Sequence, residues 1–414
     1  MKKKDIIVQK YGGTSVATTK RIKEVAERVI YTKKAGNDVV VVVSAPGDTT
    51  DELIALAKKI TDNPIERELD MLLATGEQQS IALLAIAINA LGYKAISFTG
   101  SQVGIITDKI HTKARIIKID GKKIEKALKL GKIVIVAGFQ GMNTKEDITT
   151  LGRGGSDLTA VALAAELKAK ICELYKDVEG IYTTNPNIVP KARKLPKISY
   201  DEMLEMASLG AQVVNGRSIE FAKKYNVPIY VRSSFNEKTG TLITGEEKNM
   251  MEKLLISGVT LDKDEAKLTI LGVPDTPGVA AKVFRSIADR HVNVDMIIQD
   301  VSEKGITNIS CTVDKVDLKK TLIALGRIKS EIGATGIIAD ENIAKVSVIG
   351  VGMLSHPGVA ASMFEILAEK KINIEMISTS EIKISCIIEK KDAEKAVQAI
   401  HRKFNLDKQK GSKL

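Results

Sequence analysis

The stretch VQKYGGTSVA, residues 8–17, places Lys10, Gly12, Gly13 and two hydroxyl residues at the end of an apolar run. Its spacing matches neither G-x-x-x-x-G-K-[ST] nor G-x-G-x-x-G, so it is neither a P-loop nor a dinucleotide-binding fingerprint. Glycines let backbone N–H groups approach an anion, and a lysine adds a positive charge beside them. Because a helix pattern begins just afterwards, these residues favour a phosphate-like ligand. We expect Lys10 to be an exposed loop residue.

A second segment of this kind is TLGRGGSDLTA, residues 150–160. Arg153 can hold a carboxylate or phosphate in two hydrogen bonds, and amides at a helix N-terminus favour an anion. The simpler interpretation is a helix cap, with Ser156 as N-cap and Gly154–Gly155 as the turn. That cap explains neither Arg153 nor the first glycine-rich segment. Together the two segments predict a ligand rich in negative charge, and a nucleoside triphosphate fits best.

Two further segments are ambiguous when each is taken alone. YKDVEGIYTTNP, residues 175–186, follows a strand pattern and by itself predicts only a type I turn. Glu77 interrupts an apolar helix in LLATGEQQS. A carboxylate in a helix is ordinarily a surface residue. This part of the helix should face the cleft, so pairing of Glu77 with a cation is the alternative.

Strand and helix patterns alternate through residues 1–245 and must position these segments. Continuous apolar strands such as DVVVVVSA alternate with helix patterns such as 18–35 and 70–92, which predicts an α/β fold with a mostly parallel sheet between helices. In such sheets the ligand binds beyond the carboxyl ends of the strands. The segments KYGGTS, SAPGDTTDE, GFQG and GRGGSD all fall there.

A repeat follows the α/β region. KLTILGVPDTPGVAAKVFRSIADRHVNVDMI, from Lys267, aligns with KVSVIGVGMLSHPGVAASMFEILAEKKINIEMI, from Lys345, so that Pro277 matches Pro357. Each copy predicts strand, Pro-Gly turn, helix, strand, strand and helix, a small α+β sandwich. The copies carry no nucleophile and no metal ligands, so we expect a binding or assembly module.

Composition excludes several other classes of protein. The 414 residues, 44% hydrophobic and 27% charged, are typical of a globular protein of two or three domains. The net charge of +11 favours a solvated lysine-rich surface over nucleic-acid binding, because only 4% of residues are aromatic. The three cysteines lie in strand patterns and predict buried thiols, and the four histidines lack metal-ligand spacing. With no signal peptide or membrane-length apolar run, we expect a cytoplasmic protein.

Taken together, KYGGTSVA, SAPGDTTDEL, ATGEQQS, FTGSQVG, VAGFQGMN, TTLGRGGSDLTA and YKDVEGIYTTNP resemble the aspartate kinases of the amino acid kinase superfamily. VPDTPGVAAKVF, NVDMIIQ and NIEMISTSEIKIS resemble their paired ACT domains, of ferredoxin-like fold. Pro46 departs from the methionine expected there. The resemblance implies a catalytic domain over 1–245, a linker over 246–262, and ACT domains over 263–340 and 341–414.

The resemblance implies transfer of the γ-phosphoryl group of ATP to the β-carboxylate of L-aspartate, the first step toward lysine, threonine and methionine. That carboxylate has a pKa of about 4 and is already ionised at pH 7, so no general base is needed. Catalysis must come from positioning and charge neutralisation. Lys10 would contact the γ-phosphate, Gly12 and Gly13 would donate amides, and Asp157 would orient Lys10. Mg²⁺ would be held mainly by phosphate oxygens, with no metal-binding residues of the protein's own.

The remaining roles also follow from the resemblance. Arg153 would hold the substrate α-carboxylate, and Glu77 would hold its ammonium group. The other predicted substrate-binding residues are Ser44, Asp48, Thr49, Thr50, Asp51, Glu52, Gly154, Gly155 and Ser156. The predicted nucleotide-binding residues are Lys10, Tyr11, Gly12, Gly13, Lys176, Asp177, Tyr182, Thr183, Thr184, Asn185, Pro186 and Asn187.

The ACT repeat would bind lysine, threonine or both and inhibit the enzyme. Its predicted effector residues are Asp275, Thr276, Pro277, Gly278, Val279, Ala280, Asn293, Val294, Asp295, Gln299, Val359, Ala360, Asn373, Ile374 and Ser380. Asn293, Asp295 and Asn373 would meet the effector's ammonium group and side chain. Self-association through the ACT domains would give a homodimer, or a heterotetramer with a regulatory subunit translated separately from Met250 or Met251. A module that only holds subunits together is the alternative.

Two other functions remain open. A non-catalytic amino-acid sensor would use the repeat and keep the α/β domain as a degenerate scaffold. The intact set Lys10, Glu77, Arg153 and Asp157 argues against that interpretation. A sister kinase acting on glutamate, carbamate or a nucleotide is the second alternative. The paired ACT modules and ATGEQQS weigh against it.

Overall fold

The computed structural model describes residues 4–211, 213–245, 255–299, 305–351, 353 and 358–408. Contacts between residues divide the chain into two units. The first unit consists of residues 1–181, 194–208 and 212–250, and the second of residues 182–193, 209–211 and 251–414.

The first unit alternates strands and helices along the chain, as the sequence predicts. Its strands are β1 (Ile6–Tyr11), β2 (Asp38–Val43), β3 (Ala95–Phe98), β4 (Ile106–Thr107), β5 (Ile116–Lys118), β6 (Ile133–Ala137), β7 (Gln140–Met142), β8 (Ile148–Thr150), β9 (Ile171–Lys176), β10 (Lys197–Ser199), β11 (Ile229–Ser233) and β12 (Thr241–Thr244). Its helices are α1 (Thr19–Lys34), α2 (Thr49–Ile60), α3 (Glu66–Ala90), α4 (Lys122–Lys129), α5 (Gly155–Glu166), α6 (Tyr200–Ser208) and α7 (Gly216–Tyr225).

Eight of these strands form one sheet in the order β10-β12-β11-β9-β1-β2-β6-β3. All neighbouring pairs are parallel except β11 with β12, which confirms the predicted mostly parallel sheet. The central strands β2 and β6 are buried almost throughout because helices cover both faces. A small second sheet, β5-β4-β7-β8, was not apparent from the sequence because its strands are only two or three residues long.

The long helix α3 is part of the core of this unit. Among the described residues it alone is long and apolar enough to cross a membrane, with a mean hydropathy of 1.4, and half of its apolar window is buried inside the protein. It packs against α1, α2, β3, β6 and β8. These contacts are those of a core helix.

The second unit contains two similar four-stranded sheets, which confirms the predicted repeat. The first sheet has the order β15-β16-β14-β17 and the second the order β13-β18-β20-β19. Their strands are β13 (Leu255–Asp262), β14 (Glu265–Pro274), β15 (Ile297–Gln299), β16 (Ile306–Asp314), β17 (Gly336–Asp340), β18 (Ile343–Val351), β19 (Met376–Thr379) and β20 (Lys383–Glu389). The helices are α8 (Val279–Ala288), α9 (Leu318–Ile328), α10 (Val359–Glu369) and α11 (Ala393–Lys403).

The boundaries differ from the prediction in two places. Residues 255–262, expected in the linker, form β13, which pairs antiparallel with β18 and completes the second sheet of the repeat. The rest of the expected linker, 246–254, lies outside the described residues, as do Met250 and Met251. Residues 182–193, expected in the catalytic domain, belong to the second unit. The Thr183 carbonyl accepts a hydrogen bond from the Val259 N–H at 2.7 Å, a contact between distant parts of the chain.

Candidate active site

Lys10 lies on β1, the strand between β2 and β9 in the middle of the large sheet. It is only 6% exposed, so the expectation of an exposed loop lysine is wrong. Side chains alternate along a strand, and Tyr11 therefore points to the opposite face from Lys10. The Tyr11 ring is fully buried and stacks on the Tyr175 ring, with 4.5 Å between the ring centroids. A nucleotide could meet only the backbone of Tyr11.

Asp157, in the first turn of α5, forms ion pairs with two lysines. Its Oδ1 lies 2.8 Å from Lys10 Nζ, and its Oδ2 lies 2.6 Å from Lys176 Nζ. Burial alone would raise the pKa of Asp157, but the two ammonium groups outweigh it and lower the pKa to about 2. Burial lowers the pKa of Lys10, and Asp157 offsets part of that effect. The three groups together carry one net positive charge, which suits an anionic ligand.

The segment before α5 presents Arg153 at the surface. Gly154 is the N-cap of α5, with φ of +75°, a backbone conformation that favours glycine. Ser156 lies inside the helix, so the interpretation of Ser156 as the cap is wrong. The Asn215 amide donates to the Arg153 carbonyl at 3.0 Å and fixes the backbone there. No local sequence pattern indicates this role of Asn215.

The loops after β1 and β2 lie against each other. The Gly47 N–H donates to the Gly13 carbonyl at 3.0 Å, and the Ser44 N–H donates to the Tyr11 carbonyl at 3.1 Å. A Cβ on Gly13 would be 2.8 Å from the carbonyl oxygens of Ala45 and Gly47, so this approach requires glycine. The predicted phosphate and substrate segments are therefore brought together. Asp48, Thr49, Thr50, Asp51 and Glu52 follow at the start of α2, where Asp48, Asp51 and Glu52 are exposed.

Glu77 is a buried residue of α3, only 2% exposed, so the interpretation as a surface carboxylate is wrong. Its Oε1 accepts a hydrogen bond from the Ala45 N–H at 3.1 Å. Its Oε2 has no hydrogen-bond partner within the described ranges of the chain. Burial raises the pKa of Glu77 to about 7. A buried carboxylate with a free oxygen is suited to pair with a ligand cation.

The predicted nucleotide-binding residues divide between the two units. Lys176 and Asp177 belong to the first unit, whereas residues 182–187 belong to the second. Thr183 is fully buried there, and its hydroxyl lies 2.9 Å from His401 Nε2 on α11. The Thr183 side chain therefore offers no exposed group to a nucleotide. The nucleotide-binding role of the remaining loop residues stays a prediction.

In the second unit, a cavity of about 310 Å³ opens beside the Pro-Gly turn of the first repeat copy. Gly278 precedes α8 with φ of +96° and so turns the chain into the helix. Pro274 and Ile309 line this cavity together with seven of the predicted effector residues. These seven are Asp275, Thr276, Pro277, Gly278, Val279, Ala280 and Gln299.

Ion pairs join the two copies of the repeat. Lys345 of the second copy pairs with Asp295 of the first at 2.6 Å, and Lys267 of the first copy pairs with Glu375 of the second. The Asp295 carboxylate, expected to meet an effector's ammonium group, is thus bound to Lys345. The two pairs occupy equivalent positions of the aligned copies, because Lys267 matches Lys345 and Asp295 matches Glu375. Lys345 also pairs with Glu265.

The second copy has fewer described residues at its corresponding turn, because residues 354–357 lie outside them. Val359 begins α10 and is buried, and Ala360 is half-buried. The other predicted effector residues, Asn293 and Val294 in the first copy and Asn373, Ile374 and Ser380 in the second, are exposed or half-buried.

The comparisons with known proteins agree with this architecture. The model of the amino acid kinase family matches residues 5–233, and an ACT domain model matches 268–327 and 346–404. The chain is 55% identical to an aspartate kinase of Pseudomonas putida over 402 residues, 97% of this chain and 98% of that protein. It is similar to E. coli aspartokinase III solved with aspartate and ADP, at 26% identity and a TM-score of 0.82, with coverage of 97% of this chain and 100% of that chain. The lysine and aspartate complex of the same enzyme gives a TM-score of 0.74 at 26% identity, with coverage of 97% and 99%.

Proposed function

The chain belongs to the amino acid kinase family, in which it is an aspartate kinase, and we propose that it transfers the γ-phosphoryl group of ATP to the β-carboxylate of L-aspartate. The observation that carries this reaction is the ion-paired cluster of Lys10, Asp157 and Lys176 at the carboxyl edge of the large sheet. A structure of E. coli aspartokinase III contains aspartate and ADP, which supports these substrates.

In this reaction the protein has to bring the negatively charged β-carboxylate of aspartate close to the negatively charged γ-phosphate of ATP. The ammonium groups of Lys10 and Lys176 neutralise phosphate charge, and the amides of Gly12 and Gly13 donate to phosphate oxygens. Asp157 holds both lysines in place and is ionised at neutral pH because its pKa is lowered to about 2. The substrate β-carboxylate is already ionised and attacks without a base.

We further propose that Mg²⁺ accompanies the ATP. In the described part of the chain, no group of three or more His, Cys, Asp or Glu side chains could hold a metal by itself. The ion would therefore be held mainly by phosphate oxygens, where it neutralises charge. Lys10 and Lys176 would bind the same phosphates from the protein side.

The reaction is tested by measuring ADP formation with L-aspartate, with L-glutamate and without an amino acid. We expect ADP formation that depends on L-aspartate. A non-catalytic sensor would form no ADP with any of them, and a glutamate kinase would respond to glutamate instead. Either result would reject the proposal.

Replacing Arg153 by alanine should raise KM for L-aspartate and also lower kcat. An arginine–carboxylate pair contributes about 1.5–3 kcal/mol, or roughly a 10- to 150-fold change in kcat/KM. Steady-state kinetics with each substrate varied in turn would measure this, and Arg21→Ala serves as the control because Arg21 forms an exposed ion pair with Glu24 on α1. If only KM for ATP changed, Arg153 would bind the other ligand.

We also propose that lysine, threonine or both inhibit the enzyme through the ACT repeat. The cavity beside Asp275 and Gln299 is large enough for a small amino acid, and amides at the start of α8 can take a carboxylate. A structure of E. coli aspartokinase III contains lysine, which supports that effector. A 20-fold rise in KM corresponds to a coupling of about 1.8 kcal/mol, within the usual allosteric range.

Asp275→Ala should weaken inhibition by the effector that binds in the first copy. Inhibition curves for lysine, threonine and their mixture at roughly 1–10 mM, a range typical of weak metabolite sites, would be compared with each variant's own uninhibited rate. Ser380→Ala changes a predicted effector residue of the second copy and provides the comparison. No inhibition and no heat of binding with either amino acid would leave the repeat as an assembly module.

The remaining proposals concern setting and assembly. We propose a cytoplasmic enzyme of the pathway that leads from aspartate to lysine, threonine and methionine. Self-association through the ACT copies would give a homodimer, or a heterotetramer with a separately translated regulatory subunit. Sedimentation of the purified chain with and without effector would distinguish a dimer from a larger assembly.

A further inference from the structure

A cluster of hydrogen bonds not yet assigned a role surrounds Asp70, in the second turn of α3. Asp70 is fully buried. The Thr150 hydroxyl donates to Asp70 Oδ1 at 2.5 Å, and His111 Nδ1 lies 2.7 Å from Oδ2. The Thr112 N–H donates to the same carboxylate at 3.1 Å. Asp70 thus joins α3 to the end of β8 and to the loop between β4 and β5.

The loop between β4 and β5 adopts an unfavourable backbone at Thr112, with φ of +63°. A β-branched residue in the left-handed region costs free energy and persists only where its surroundings fix it. The bond from the Thr112 N–H to Asp70 supplies one such restraint. Farther along the loop, the Ala114 N–H donates to the Thr150 carbonyl at 2.9 Å. The loop therefore lies against the segment that follows β8.

That segment leads directly to Arg153, three residues after Thr150. It is also held by Arg217 of α7, whose Nη1 donates to the Leu151 carbonyl at 2.7 Å. Arg217 Nη2 donates to the Ala114 carbonyl at 2.9 Å. Asp70 and Arg217 thus both hold the backbone just before Arg153.

Helix α3 also carries Glu77, seven residues after Asp70 and so on the same face of the helix. Glu77 contacts the Ala45 N–H, and Gly76 lets the helix approach closely, because a Cβ there would be 2.7 Å from Ala45 Cβ. One helix therefore fixes both Glu77 and the segment that leads to Arg153. These two residues are the proposed partners of the substrate's ammonium and α-carboxylate groups.

We propose that Asp70 is a positioning residue that holds Arg153 at the correct distance from Glu77 for aspartate binding. It acts through Thr150 and the loop at Thr112 and does not touch the substrate. The inference rests on the proposed role of Arg153 in binding aspartate. Its consequence is that loss of the Asp70 cluster impairs recognition of aspartate and spares recognition of ATP.

The first test replaces Thr150 by valine, which keeps the shape and removes the hydroxyl. We expect KM for L-aspartate to rise about five- to tenfold, less than for direct loss of a hydrogen bond to a charged group because Thr150 acts only through Arg153, with KM for ATP unchanged within twofold. Asp70→Asn, which keeps one acceptor oxygen, should act in the same direction. It provides the measurement if Thr150→Val fails to fold.

The control is Thr149→Val in the same strand. Thr149 is also fully buried, but its hydroxyl lies 2.6 Å from the Thr107 hydroxyl and does not contact Asp70. We expect a similar loss of thermal stability with KM for L-aspartate unchanged. An equal rise in that KM for Thr149→Val would show a general structural effect and overturn the inference.

The double variant Thr150→Val with Arg153→Ala decides whether Asp70 acts through Arg153. If it does, KM for L-aspartate will equal that of Arg153→Ala alone, because coupled changes do not add. Multiplied effects would reject this inference and leave the proposed function standing. A wild-type enzyme without aspartate-dependent ADP formation would reject both.

Discussion

Replacing Lys10 by alanine is expected to lower kcat by roughly 30- to 900-fold, corresponding to about 2–4 kcal/mol of transition-state stabilisation. Lys10 lies beside Asp157 in the middle of the sheet, where its ammonium group can neutralise charge that shifts between the phosphate and the acceptor oxygen. Electrostatic interactions are stronger in such a buried site than in water. The rate of ADP formation at saturating ATP and L-aspartate would measure the fall in kcat.

The fold should survive this change at a moderate cost. Lys10 is buried, so its replacement by alanine also removes packing contacts in the core. Removing one partner of a buried ion pair usually destabilises a protein by about 3–5 kcal/mol. Asp157 keeps Lys176 at 2.6 Å and is not left unpaired, so we expect less than this. Urea denaturation would measure the difference.

Lys33→Ala is the matched control for Lys10→Ala. Lys33 and Asp38 form a partly buried ion pair at 2.8 Å between α1 and β2 of the same unit. Its loss should lower stability without lowering kcat. Near wild-type kcat in Lys10→Ala would remove Lys10 from the mechanism.

Much of the architecture of the first unit can be predicted from local sequence patterns. Continuous apolar strands alternating with amphipathic helices predict a parallel sheet, and parallel strands bring their following loops to one edge. This reasoning correctly joins the Gly13 and Gly47 loops, which are hydrogen-bonded in the structure. The orientation of Tyr11 was equally predictable, because adjacent strand residues face opposite sides.

Long-range contacts explain the errors at the boundaries. Residues 182–193 follow β9 directly, so their order in the chain assigns them to the catalytic domain. Their actual partners, Val259 and His401, lie 76 and 218 residues beyond Thr183. Similarly, β13 is separated by a whole repeat copy from β18, its partner. No local pattern encodes such pairings.

Buried charge was the other feature that local patterns did not reveal. The exposure predicted for Lys10 is wrong because β1 is flanked by β2 and β9, where Val42 and Leu174 lie beside Lys10. Asp70 gave one usable signal, because it lies seven residues before Glu77 and therefore on the same helix face. Two carboxylates on the buried face of one apolar helix indicate polar partners in the fold.

The pH dependence of aspartate recognition should report the ionisation of Glu77. Burial raises the pKa of this carboxyl to about 7, and only its ionised form can pair with the substrate ammonium group. We expect kcat/KM for L-aspartate to rise about tenfold per pH unit below 7 and to level off above it. Glu77→Gln should raise KM for L-aspartate at least tenfold at pH 8, as expected when a charged partner is lost.

The same ionisation should appear in stability without substrate. A raised pKa means that the folded state binds the proton more tightly than the unfolded state. The protonated carboxyl therefore makes its full contribution to the free energy of unfolding below pH 4.5, and this contribution is lost as the pH rises through about 7. Glutamine is neutral throughout and avoids the loss. Glu77→Gln should therefore match the wild type at pH 4.5 and exceed it at pH 8.5 by about 3 kcal/mol in urea denaturation. Equal stability of the two proteins at pH 8.5, together with a kcat/KM profile without an inflection near pH 7, would show that Glu77 is ionised throughout. In that case its burial would not set the pH dependence of substrate binding.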